Sequence, residues 1–75
     1  MKLATLEAAL NARPFRPFEL RVDGETVAVQ HPEQLFLADK KTTAIIDASD
    51  RIHIMEVSEI SKLTLLRHKT PRSKV

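Results

Sequence analysis

The chain has 75 residues with no cysteine and one glycine, which excludes disulfides, cysteine-ligated zinc and a glycine-rich phosphate loop. Its charge of +2 is uneven: residues 1–66 hold eight basic and ten acidic residues, whereas residues 67–75 hold four basic residues and no acidic one. We therefore predict one small domain over residues 1–66 and a basic, flexible tail over residues 67–75. Because so short a chain buries only about 60% of its unfolded surface, we expect a homo-oligomer.

The N-terminal stretch "MKLATLEAALNA" has no long apolar core and carries Glu7, so it does not resemble a secretory signal. No apolar run approaches the roughly 20 residues needed to cross a bilayer. Together with the absence of cysteine, these features predict a cytoplasmic protein with no membrane contact.

A short helix is predicted over residues 2–12. Leu3, Leu6 and Leu10 fall at i, i+3 and i+7, which is one stripe of a helix. Pro14 and Pro17 then favour extended backbone at the residues before them. We expect a stiff connector from the helix to the first strand.

The next segment, "FELRVDGETVAVQ", is typical of a β-hairpin. Phe18, Leu20 and Val22 alternate with charged residues, as in a half-buried strand. Asp23-Gly24 is a strong hairpin signal, since both central positions of a type I′ turn need positive φ. The return strand follows directly, with its valines on one face.

Three further strands are predicted around residues 35–38, in "TTAIID" and in "RIHIMEV". In the last of these, Ile52 and Ile54 form the apolar face, while His53 and Met55 lie on the opposite face. Residues 58–66 are ambiguous, because their apolar pattern suits either a short helical turn followed by a strand or a short helix. The short connections favour antiparallel pairing. The predicted fold is mainly β (α+β), with an N-terminal helix followed by a five- to six-stranded antiparallel, strongly bent sheet or a small SH3/Sm-like barrel.

The order helix, proline junction, "FELRVDGETVAV", "QLFLADKKTTAII" and "RIHIMEVSEISKL" resembles the Sm-like small barrels, in particular the bacterial host-factor RNA chaperones, over residues 5–66. Glu59-Ile60-Ser61 is similar to the segment on which those barrels close. The resemblance implies a ring-forming RNA-binding barrel. However, those chaperones carry an RNA-contacting Lys-His pair just before the Ile-Ser, where this chain has Val57-Ser58. The uridine-binding chemistry of that family is therefore not implied here.

The pattern "PFRPF" with a later "HPE" is also similar to short bacterial proteins of unassigned activity. This second resemblance constrains the fold class and carries no function.

Catalytic and metal-binding signals are few. His31 with Glu33 has the chemistry of a base or a metal ligand, but a solvated strand-end turn explains both residues. Asp47 and Asp50 flank a turn, where aspartate is common. A metal site from His31, His53 and His68 matches no local ligand spacing. We predict no enzyme activity, no cofactor, no metal and no small-molecule substrate.

Nucleic acid is a candidate partner, through phosphate contacts made by basic residues and by a histidine on a strand surface. The residues predicted for this role are Arg13, Arg16, Arg21, Lys40, Lys41, His53, Arg67, Lys69, Arg72 and Lys74. Against it, the body is net acidic, and Phe15, Phe18 and Phe36 are needed for a core rather than for base stacking. A solubilising role for the tail is the alternative to a binding role.

Two classes of function remain. One is a non-enzymatic oligomeric binding module that associates with RNA or other nucleic acid. The alternative is a protein-interaction or assembly module that uses exposed strand edges and has no nucleic-acid role.

Overall fold

The computed structural model describes residues 1–66, which contain one helix and six strands. The elements are α1 (Leu3–Leu10), β1 (Phe18–Val22), β2 (Glu25–Val29), β3 (Leu35–Ala38), β4 (Thr43–Ala48), β5 (Arg51–Glu56) and β6 (Lys62–Leu65). The strands form two antiparallel three-stranded sheets: the first sheet has the order β2-β1-β6, and the second sheet has the order β3-β4-β5. The mainly β architecture with an N-terminal helix is confirmed.

The prediction of five to six antiparallel strands in a strongly bent sheet or a small barrel is confirmed in part: the described residues form six antiparallel strands, but these are divided into two sheets and do not close into a barrel. The break falls at the 3₁₀ turn Pro32–Gln34 between β2 and β3. Pro32 has no amide hydrogen to donate to a ladder, which is in keeping with its position in the turn after β2 has ended at Val29. Within residues 1–66, no helix has the length and apolar character that crossing a membrane requires.

The core lies between the inner faces of the two sheets and the helix. Its largest fully buried side chains are Phe18, Leu6, Leu20, Ile46, Ile60 and Val29. The predicted alternation of β1 and β2 is confirmed, since Phe18, Leu20 and Val22 are buried while Glu19 and Arg21 are not. Phe15 in the connector packs on Phe18 with ring centroids 5.8 Å apart, so the proline-rich junction is anchored to the core.

The β1–β2 turn has the predicted backbone. Asp23 and Gly24 have φ of 51° and 80°, and Val22 pairs with Glu25 across the turn. Positive φ at both central residues is the requirement of a type I′ turn, and the right-handed twist of the flanking strands selects it.

The second sheet makes a two-residue turn and a four-residue turn without glycine. Ser49 and Asp50 link β4 to β5 with φ of 57° and 60°, while Asp39, Lys40 and Lys41 between β3 and β4 have φ of 53°, 56° and 69°. Left-handed backbone is unfavourable by about 1–2 kcal/mol for a residue with a Cβ. This sheet therefore contains strained turns at positions where the sequence has no glycine to indicate them.

The ambiguous last segment contains a 3₁₀ turn, Val57–Glu59, followed by β6. Strand β6 pairs with β1, with Phe18 opposite Leu65, and the Leu66 amide donates to the Pro17 carbonyl at 2.8 Å. The alternative of a short helix over residues 58–66 is wrong. The predicted tail, residues 67–75, lies outside the described residues.

The predicted orientation of β5 is also wrong. Met55 is buried and His53 is half-buried, whereas the side chains of Ile52 and Ile54 are 60% and 69% exposed. The reason is register: Met55 pairs with Ala44, whose side chain is in the core, so the isoleucines must point outward.

Candidate functional site

The outer face of the second sheet carries a row of apolar side chains that we call the apolar face: Phe36, Ile45, Ile52 and Ile54. Phe36 in β3 lies directly opposite Ile45 in β4, and Ile45 lies directly opposite Ile54 in β5. Ile52 follows on the same side of β5, opposite Asp47. Four apolar side chains thus run across all three strands on the side away from the core.

Much of this apolar surface is in contact with solvent. Phe36 is 65% exposed, comparable to Ile52 and Ile54, and Ile45 in the centre of the sheet is half-buried. Single exposed apolar residues are ordinary, but a contiguous cluster is typical of an interaction surface. The expectation that all three phenylalanines are core residues is wrong for Phe36, which belongs to the apolar face.

The outer face of the first sheet is polar. Its side chains are Glu19, Arg21, Thr26, Ala28, Lys62 and Thr64. Arg21 in β1 lies directly opposite Lys62 in β6, and both are exposed. We call these two residues the basic pair. Of the predicted nucleic-acid residues within 1–66, Arg21 is the one that the fold places on this face.

A third feature is an open cleft of about 350 Å³ between the edge strands β2 and β5. It is lined by Glu25, Thr26, Val27, Ser49, Arg51 and His53. His53 therefore faces the gap between the sheets rather than an outer surface. No hydrogen bond from its ring to another residue in 1–66 is present.

The other predicted cations are distributed over separate places. Arg13 and Arg16 are exposed in the connector, and Lys40 and Lys41 lie in the β3–β4 turn. Lys41 Nζ donates to Glu7 Oε2 of α1 at 2.8 Å, so its charge is already paired. Arg67, Lys69, Arg72 and Lys74 lie outside the described residues, as does His68.

Gln34, the residue that follows the "HPE" segment, connects two parts of the fold by hydrogen bonds. Gln34 Oε1 accepts hydrogen bonds from the amides of Gln30 and His31, both at 2.8 Å, and Gln34 Nε2 donates to the Asp47 carbonyl at 2.8 Å. One side chain thereby connects the end of β2 to β4. His31 and Glu33 are exposed, in keeping with a solvated turn.

Among residues 1–66, no three His, Asp or Glu side chains are grouped as ligands for a metal ion. Asp47 lies on the outer face of β4, while Asp50 is a turn residue with positive φ. The two carboxylates therefore have separate structural settings.

Sequence reasoning missed Lys62 and the apolar face. The signal for the face was present: "LFLA" and "AII" are continuous apolar runs, typical of strands that are covered on both sides. Lys62 carries no such signal, because its position opposite Arg21 depends on the register between β1 and β6.

Comparison of the chain with known protein families, with curated proteins and with solved structures finds no match.

Proposed function

We propose that the chain is a non-enzymatic binding module that forms a homo-oligomer through β5 and the apolar face. The observation that carries the proposal is the position of Ile52 and Ile54. They stand on an edge strand, and Ile54 ends the cross-strand row that begins at Phe36. Apolar surface that reaches an open strand edge is suited to pairing with another strand.

Strand β5 is the edge best suited to such pairing. The edges of the two sheets are β2, β6, β3 and β5, with five, four, four and six residues. β5 is the longest, and it contains no proline and has charged residues only at its ends, Arg51 and Glu56. Edge strands that resist pairing are usually short or carry inward charges, lysine or proline.

A second copy of the chain fits this edge in antiparallel orientation. Antiparallel pairing about Ile54 places Ile54 opposite its own copy and Ile52 opposite Glu56 of the other copy. Residues opposite each other in an antiparallel pair point to the same side of the sheet. A two-fold axis at Ile54 therefore joins the two apolar faces into one row of six side chains: Phe36, Ile45 and Ile54 from each copy.

The Sm-like resemblance shares with this proposal the use of edge strands for assembly. A two-fold β5–β5 contact gives a dimer, whereas a ring needs pairing between two different edges. Nucleic-acid binding does not depend on this assembly, because its candidate residue Arg21 lies on the first sheet and β5 belongs to the second.

The first test is the mass of the chain in solution by size-exclusion chromatography with light scattering. We expect an oligomer for the native chain and a monomer for Ile54→Lys, because an ammonium group in the row must be desolvated on pairing. Thr64→Lys is the matched control, since Thr64 is exposed on the outer face of another edge strand, β6. A native monomer, or equal masses for the two variants, would contradict the proposal.

The register can be tested by disulfide formation, because the chain has no cysteine of its own. Opposed Cα atoms in an antiparallel pair lie about 4.5–5.5 Å apart, within the roughly 4.4–6.8 Å that a disulfide spans. Ile54→Cys should form a covalent dimer on mild oxidation, whereas Thr64→Cys should not. Dimers from Ile52→Cys in place of Ile54→Cys would move the axis by two residues.

A further inference from the structure

The basic pair on the first sheet combines two like charges at the shortest cross-strand distance. Arg21 and Lys62 are direct partners in the β1–β6 ladder, so their Cβ atoms lie about 4.5–5.5 Å apart. Like charges in this arrangement destabilise a sheet. The ion pair found among residues 1–66 joins Lys41 to Glu7, so no carboxylate within 4 Å neutralises the basic pair.

The surroundings of the pair suit an oxyanion. Glu19, Arg21, Thr26, Lys62 and Thr64 line a shallow hollow of about 160 Å³ on the outer face of the first sheet. Guanidinium, ammonium and hydroxyl groups are the usual donors to phosphate oxygens. An anion seated between the two cations would remove their mutual repulsion.

We propose that Arg21 and Lys62 bind the phosphate backbone of nucleic acid. The face favours this partner over an acidic protein because it offers no large apolar anchor. Phe36, Ile52 and Ile54 are on the other sheet, and Leu65 pairs with the buried Phe18 on the inner side of β6. Protein interfaces depend on such anchors, whereas phosphate contacts do not.

The chemistry of the face also defines the mode of binding. Within the described residues no aromatic side chain lies on this outer face, so bases have nothing to stack on and the contact is independent of sequence. Glu19 lowers the net charge of the hollow from +2 to +1. Its carboxylate opposes the phosphate, and the binding is weak and sensitive to salt.

Assembly through β5 leaves this face open, because β1 and β6 belong to the other sheet. The basic pair therefore binds phosphate whether or not the chain oligomerises, and the two proposals fail independently.

The test is fluorescence anisotropy of a labelled single-stranded oligothymidylate at low salt with the full chain. Lys62→Glu should weaken binding about tenfold, because it removes one cation and its carboxylate pairs with the other cation, Arg21. The slope of log K against log salt should therefore fall by ~1.4, the value for two lost phosphate contacts on a single strand. Lys40→Glu makes the same change of net charge in the β3–β4 turn and should weaken binding much less. Glu19→Gln should strengthen binding.

Thermal unfolding of the same variants gives an independent readout. Lys62→Glu places a carboxylate opposite Arg21, so its melting temperature should rise while its affinity falls. Absence of native binding to the oligothymidylate, or equal losses in Lys62→Glu and Lys40→Glu, would overturn the proposal. Equally tight binding of polyglutamate would overturn the assignment to nucleic acid. If Lys62→Glu and Lys40→Glu still differ in affinity after removal of residues 67–75, the result would support the sheet as the contact.

Discussion

The two sheets are alike on the inside and opposite on the outside. Each has three antiparallel strands and contributes aliphatic side chains to one shared core. The first sheet presents charged and hydroxyl groups to solvent, whereas the second presents Phe36, Ile52 and Ile54. The inner faces form the core, while the outer faces differ in the chemistry that they present to solvent.

The difference originates in the sequence pattern of the strands. β1 alternates strictly, with Glu19 and Arg21 between buried residues. In β4, Ile45 and Ile46 are adjacent, so one enters the core and the other must face outward. A strand with apolar residues on both faces is stable when both faces are covered, and the core covers one of them here.

The largest expected effect on stability comes from comparing alanine substitutions of two phenylalanines, one on each sheet. Phe18→Ala removes a fully buried ring from the first sheet and should destabilise the fold by about 3–5 kcal/mol. Phe36→Ala removes an exposed ring from the second and should change the monomer's stability by less than about 0.5 kcal/mol. Urea unfolding followed by far-ultraviolet circular dichroism, in the monomeric Ile54→Lys background, measures both.

Similar losses from the two substitutions would show that Phe36 supports the core and that the apolar face is not a separate surface. In the Ile54→Lys background the proposed assembly through β5 is blocked, so the comparison concerns folding alone.

The two hairpins provide a second contrast. Gly24→Ala puts a Cβ at φ of 80° and should destabilise the first sheet's turn by about 1–2 kcal/mol. Asp50→Gly relieves φ of 60° in the second sheet and should stabilise the chain by up to about 1 kcal/mol. Shifts of melting temperature in opposite directions are expected, and a loss of stability in Asp50→Gly would show that its carboxylate has a role in the turn.

The smallest expected effect concerns the ion pair between Glu7 and Lys41. The Lys41 side chain is 58% exposed, and such pairs contribute about 0–1 kcal/mol. Glu7→Gln should therefore lower the unfolding free energy by less than about 0.5 kcal/mol at low salt and by nothing measurable at high salt. An effect that persists in high salt would mean that Glu7 acts through packing of α1.

Much of the fold follows from local signals in the sequence. The alternation of β1 and the Asp23-Gly24 dipeptide each act over a few residues and are realised as predicted. The leucine stripe forms a helix over Leu3–Leu10, shorter than the predicted 2–12, and buries Leu6. The β4–β5 turn does not follow, because Ser49 and Asp50 adopt left-handed backbone only under the constraint of the paired strands on either side.

The candidate sites depend on register, which composition does not encode. In "RIHIME" both alternating sets contain apolar residues, so the pattern alone does not select the inner face. Pairing of Met55 with the buried Ala44 places Met55 and His53 on the inner face and the two isoleucines on the outer face. In the same way, Arg21 and Lys62 are 41 positions apart in sequence and meet through the β1–β6 ladder.

Gln34 links the two sheets through three hydrogen bonds. Its side-chain amide holds the end of one sheet with its oxygen and a strand of the other with its nitrogen. The two sheets are thus joined by the shared core and by this one side chain. Gln34 belongs neither to the basic pair nor to the apolar face, so a substitution there changes the connection between the sheets without removing a side chain from either surface.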